Sequence, residues 1–103
     1  MSERVYNSND KLDDAILAFT LGETQEALNI LNKLSVENAA SIDVWRALAE
    51  VCLSCEDFDA AEKACNKALR LNPDDLTSNV SLARILVKKG DKEGAEIASA
   101  KAR

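Results

Sequence analysis

Two of the three cysteines, Cys52 and Cys55, form a Cys-x-x-Cys pair. Thiols at that spacing serve redox exchange or zinc binding. A tetrahedral zinc site would need a fourth Cys or His, and the chain has 3 Cys and no His. No strand-like segment precedes the pair, so Cys52 and Cys65 read as small apolar side chains of a core. Carboxylates cluster at Asp13-Asp14, at Asp57 and Asp59, and at Asp74-Asp75. Each cluster falls at a helix start, where capping and the helix dipole account for it. There is no glycine-rich phosphate cradle with Lys, and no Ser or Cys beside a general base. The chain therefore reads as non-catalytic, with no cofactor and no metal expected.

The elements that would position any site are helices. The 103 residues are 47% apolar, 30% charged and 4% aromatic, the composition of one soluble domain. Only 3 Gly and 1 Pro are present, too few for the turns of a β sandwich or barrel. The net charge of −5 argues against a phosphate-backbone binder, so no nucleic acid partner is expected. No run approaches the roughly 20 apolar residues of a spanning helix, and the start MSERVYNSND has no apolar segment like a signal peptide. Free thiols, odd in number, fit a reducing compartment. A cytoplasmic location with no membrane insertion follows as an expectation.

Sliding the chain on itself by 34 residues aligns Ala27 with Ala61 and Ala95, Lys33 with Lys67 and Lys101, Asn32 with Asn66, and Asn38 with Asn72. Leu48 and Ala49 likewise fall on Leu82 and Ala83, and Asp57 on Asp91. Coincidences at one offset imply a repeated supersecondary unit. The division is a lead at 1–7 and units at 8–41, 42–75 and 76–103, the last truncated. Within the middle unit Val44, Leu48, Val51, Cys52 and Cys55 recur at helical spacing, and Ala61, Ala64, Cys65, Ala68 and Leu69 do so again. Each unit is thus two helices, broken at Gly22-Glu23, Glu56-Asp57 and Gly90-Asp91, with Asp91 or Thr24 available as a cap. Pro73 stops the second helix of the middle unit. In the first unit Leu12, Ala15, Ile16 and Phe19 fit the apolar pattern only if the turn before Ala27 is one residue short. At Ala27, Ala61 and Ala95 only a methyl group separates two helices, and stacked hairpins then share a continuous core.

The run Trp45-x-x-Leu48-Ala49-x-x-Cys52, followed by Ala61-x-x-x-Cys65, Ala68 and Pro73, resembles the tetratricopeptide repeat. It departs from the pattern at Ala49, where Gly is favoured, and at Cys52 and Cys65, where aromatics are. The last unit keeps Leu82, Ala83, Gly90, Ala95 and Ala102 but has Asn79 in place of Trp. The resemblance implies an all-α, right-handed alpha-alpha superhelix, a solenoid of three helix-turn-helix units. It also implies a protein-interaction module, an adaptor or scaffold that binds a peptide or partner protein in a concave groove. By the family's geometry that groove is lined by Asp43, Arg46, Glu50 and Leu53, and by Thr77, Val80, Arg84, Val87 and Lys88. Leu53, Val80 and Val87 offer apolar contact, while Arg46, Arg84 and Lys88 could hold carboxylates. Trp45 takes the repeat's interior position and reads as core; Tyr6 lies in the lead. A subclass of the family holds the carboxy-terminal carboxylate of heat-shock chaperones with Lys, Asn and Arg. The matching positions here are Leu12 and Ile16 (or Asp13 and Leu17 in the shifted phase), Ala47, Thr77 and Ser81, none a cation or amide, so that ligand is not expected.

Charge is unevenly spread along the chain. Residues 1–41 carry three basic and seven acidic side chains, 42–75 four and eight, and 76–103 six and three. The last helix, from Gly94 to Arg103, is mostly small side chains with Ile97 and adds no further solvating helix. An alternative function is therefore a self-assembling module, a homo-oligomer built head to tail through an acidic front and a basic back.

Overall fold

The computed structural model describes residues 8–102, so the lead with Tyr6, and Arg103, lie outside the described residues. Six helices follow one another: α1 (Ser8–Thr20), α2 (Thr24–Glu37), α3 (Ile42–Ser54), α4 (Phe58–Leu71), α5 (Leu76–Lys89) and α6 (Lys92–Lys101). No strand occurs among the described residues. Helices start at 8, 42 and 76 and again at 24, 58 and 92, so both series keep the 34-residue interval.

The three hairpin turns are built alike. Gly22 (φ 84), Glu56 (φ 61) and Gly90 (φ 85) all take the left-handed conformation. After each, an amide reaches back to the preceding helix: Glu23 to Ala18 O at 2.8 Å, Asp57 to Cys52 O at 3.0 Å and Asp91 to Leu86 O at 2.8 Å. This bonding satisfies carbonyls that a helix end leaves orphaned. The turn before Ala27 is therefore not one residue short. The apolar residues of α1 suggest a shifted phase because Ile16 is exposed and Leu12 and Phe19 are half-buried. The residues that α1 buries, Ala15 and Ala18, stand 34 before Ala49 and Cys52. Capping differs from expectation at two places: Thr24 is already helical, with Glu23 at the cap position making no side-chain bond, and Asp13-Asp14 lie in the middle of α1 rather than at a helix start. Asp57, Asp75 and Asp91 do cap α4, α5 and α6 through carboxylate bonds to Ala60, Ser78 and Gly94 amides.

Helices pair as α1 with α2, α3 with α4 and α5 with α6; α2 then packs on α3 and α4 on α5. Contacts also run from α1 to α3 and from α3 to α5, but among the described residues α2, α4 and α6 do not touch one another. The stack therefore bends toward α1, α3 and α5, which form its inner row.

Small residues carry the core. Ala15, Ala18, Ala27, Ala49, Ala61, Ala64, Cys52 and Cys65 cluster with Leu31, Leu48, Val51, Leu53 and Ile85. Trp45 packs against this cluster while remaining half-buried, and its indole Nε1 donates to Ala39 O at 2.8 Å. Asn79, which replaces Trp in the last unit, is buried and useful: its Nδ2 donates to the carbonyls of Pro73 and Asp75, each at 3.1 Å. It thereby stitches α5 to the turn that precedes it.

Ala61 is fully buried where α3 and α4 approach. Ala61→Leu should cost about 1–3 kcal/mol by forcing these helices apart, read as a shift in the chemical denaturation midpoint. An unchanged midpoint would deny the close approach.

Candidate partner-binding groove

On the inner row a hollow of about 430 Å³ opens between the first two hairpins. Leu12, Ala15, Ile16 and Phe19 of α1 form one wall, and Ala47 and Val51 of α3 the other. Leu31 of α2 floors it, while Asp43, Arg46, Glu50 and Thr77 form its polar edge. A second hollow lies beside it, lined by Phe19, Glu50, Leu53, Ser54, Glu56, Phe58, Arg84 and Lys88. Glu50 and Phe19 belong to both, so the two form one continuous furrow across α1, α3 and α5.

Of the nine groove residues expected from the sequence, Asp43, Arg46, Glu50 and Thr77 edge the first hollow, and Glu50, Leu53, Arg84 and Lys88 line the second. Leu53 is buried there, and Val80 and Val87 are exposed outside both hollows. The sequence reading missed Leu31, Ala47 and Val51 of the first hollow, Ser54, Glu56 and Phe58 of the second, and the whole α1 wall of Leu12, Ala15, Ile16 and Phe19. The signal for the α1 wall was present, since the i, i+3, i+4 and i+7 spacing of its residues marks one helical face. It is the face of the furrow.

Charges along the furrow are largely spent on one another. Arg46 forms a two-pronged pair with Asp75, Nε to Oδ2 at 3.0 Å and Nη2 to Oδ1, and its Nη1 donates to Asp43 Oδ1 at 2.8 Å. Asp75 is buried, and its Oδ2 also accepts from the Ser78 amide at 2.9 Å and the Ser78 hydroxyl at 2.5 Å. The guanidinium of Arg46, and then the Ser78 bonds, hold the Asp75 carboxyl well below its ordinary value of 3.8. The same pair raises Arg46. Arg46 is thus a tie between α3 and the cap of α5. Farther along, Glu50 Oε1 accepts from Ser81 Oγ and Arg84 Nη1, each at 3.2 Å. Lys88 is exposed and has no ion pair among the described residues.

The Cys-x-x-Cys pair does not converge on a site. Cys52 and Cys65 are buried, and desolvation pushes their thiols up to about 11 and about 12 respectively. Both stay protonated at neutral pH and inert as nucleophiles. Cys55 is exposed at the end of α3. No group of three or more metal-ligating side chains forms among the described residues. None of the described helices is long and apolar enough to cross a membrane.

An all-α stack of helix hairpins with a furrow on its inner row defines the class, a helical-repeat protein. Residues 42–75 match the tetratricopeptide repeat family model, so the middle unit is a tetratricopeptide repeat. A mitochondrial pentatricopeptide repeat-containing protein of Arabidopsis thaliana is 34% identical over 55 residues, covering 53% of this chain and 9% of that protein. The chain therefore spans about a tenth of the length of that curated relative. Among solved structures, the Yersinia enterocolitica type III secretion translocator chaperone SycD, in complex with a peptide of the translocator YopD, aligns with a TM-score of 0.88 at 16% identity. That alignment covers 91% of this chain and 72% of the chaperone. The second tetratricopeptide domain of Spaghetti (RPAP3), bound to the HSP90 peptide SRMEEVD, gives 0.88 at 16% identity over 92% of this chain and 88% of that one. At these identities the likeness shows a common fold.

The Asp75 carboxylate is bonded in the folded state and its pKa is lowered there. Its stabilisation is complete above the ordinary carboxylate range and is lost as pH falls through that range toward the depressed folded value. Asp75→Asn should cost about 1–3 kcal/mol at pH 7 and flatten the acid limb of the stability curve below about pH 4. An unaltered acid limb would contradict the Arg46 tie. With a thiol reagent on the native protein, Cys55 should react at once, and Cys52 and Cys65 only on unfolding. Three fast thiols would refute the burial.

Proposed function

We propose that residues 8–103, as repeats 8–41, 42–75 and 76–103, are a non-catalytic adaptor or scaffold module that holds a peptide or partner-protein segment in the furrow of α1, α3 and α5. The observation that carries this reading is the first hollow, with apolar walls from α1 and α3 and charged side chains only at its edge. A cavity of that size takes one or two large side chains and leaves the rest of a peptide against the polar rim. Two proteins of the same fold hold peptides, SycD that of YopD and the Spaghetti domain SRMEEVD.

The ligand we infer presents a large aliphatic or aromatic anchor to Leu12, Ile16, Phe19 and Val51. Its acidic groups would meet Lys88, and Arg84 in exchange for Glu50, rather than Arg46, whose donors are engaged by Asp75 and Asp43. A free chain-terminal carboxylate, of the kind chaperone-tail binders recognise, has no cation or amide to meet at Leu12, Ile16, Ala47, Thr77 or Ser81. Protein rather than nucleic acid fits a chain of net charge −5 whose furrow pairs two of its cations with carboxylates.

Ile16 is a clean probe, because it edges the hollow yet is nearly half exposed. Peptides selected from a random display library against the wild-type chain should carry a large apolar residue. They should bind Ile16→Asp at least about tenfold more weakly, a loss of roughly 1.4 kcal/mol, with helix content unchanged. Selected peptides indifferent to this substitution would discard the furrow as the site.

A further inference from the structure

The two ends of the stack expose what the interior hides. Leu17 of α1 is 57% exposed, whereas Val51 and Ile85, which follow it at successive 34-residue steps, are 3% and 0% exposed. At the opposite end Val87 is 64% exposed, whereas Leu53, one unit earlier, is 9% exposed. Both ends thus show apolar residues at positions that are covered wherever a neighbouring hairpin is present.

The two faces are also shaped for each other. A hollow on the far side of α5 and α6 is lined by Val87, Lys92, Ala95, Glu96, Ser99 and Ala100. Val87, Ala95 and Ser99 follow Leu53, Ala61 and Cys65 by one unit, and those three share the core cluster with Ile85. The last hairpin therefore carries an empty version of the seat that Ile85 fills inside the stack. Leu17 is the counterpart of Ile85 on the first hairpin. Charge agrees with this fit: exposed Asp14 lies on the Leu17 helix, in the acidic third of the chain, and exposed Lys92 lines the seat in the basic third.

We propose that a second copy of this chain docks head to tail, its α1 seating Leu17 against Val87, Ala95 and Ser99, so that the junction between copies reproduces the junction between hairpins. The contact is heterologous, joining two different surfaces, and each added copy offers a fresh seat. Its apolar part supplies the affinity, and the Asp14 and lysine charges orient the approach. These faces are separate from the furrow, so this assembly and peptide binding stand or fall independently.

The test uses two variants of the full chain at exposed positions, Leu17→Lys and Val87→Glu, with circular dichroism confirming unchanged helix content. Light scattering should show wild-type mass rising with concentration toward about 1 mM, and each variant alone should stay monomeric. Mixed one to one, the variants should form a dimer and nothing larger, because the intact front of Val87→Glu meets the intact back of Leu17→Lys. A wild-type chain that remains monomeric, variants that still associate, or a mixture that does not pair would each overturn the proposal.

Discussion

The structure depends on how closely two helices of a hairpin can approach. Ala27, Ala61 and Ala95, each buried and spaced by one unit, leave only a methyl group between paired backbones. This spacing compacts each hairpin but leaves it too small to enclose an apolar face by itself. Stacking supplies the missing cover, since Val51 and Ile85 bury themselves against the hairpin before them. Such stability is a sum of neighbour contacts. Inner helices that touch, opposite outer helices that do not, turn the stack into a surface with an inside.

That inside has a division of labour. Arg46 lies at its edge yet, with buried Asp75, serves the fold: the carboxylate caps α5, anchors the guanidinium of α3 and accepts the Ser78 hydroxyl. Asn79 completes the junction by bonding the carbonyls of Pro73 and Asp75. Buried polar groups in this network are all partnered, which lets charge occupy a junction without the desolvation penalty of an orphaned ion. The proposed recognition surface is the apolar wall of α1 and α3, with Lys88 farther along.

Much of the fold was legible because the repeat reports itself. The 34-residue offset placed all three turns, and Glu56, a residue ill suited to positive φ, was identified as a turn only through its alignment with Gly22 and Gly90. What stayed hidden had physical causes. In α1, Asp14 stands where Leu48 and Leu82 do, so the helix lacks the apolar marks of its siblings, and its groove-facing Leu12 and Ile16 read as a displaced core pattern. The furrow's best wall was missed for that reason. Arg46 looked like a cation open to a ligand because nothing in the order of residues reveals that Asp75, 29 positions later, is buried beside it. Local pattern fixes which face a residue takes; pairing across a junction emerges only in three dimensions.

The claim on which this account turns is that a partner segment lies along α1, α3 and α5. Backbone amide and methyl resonances of the labelled chain, followed while a selected peptide is titrated in, test it most directly. The account predicts the largest shifts at Leu12, Ile16, Phe19, Ala47 and Val51, with the solvent faces of α2, α4 and α6 unmoved. Shifts concentrated on those outer helices, with α1 and α3 silent, would contradict it.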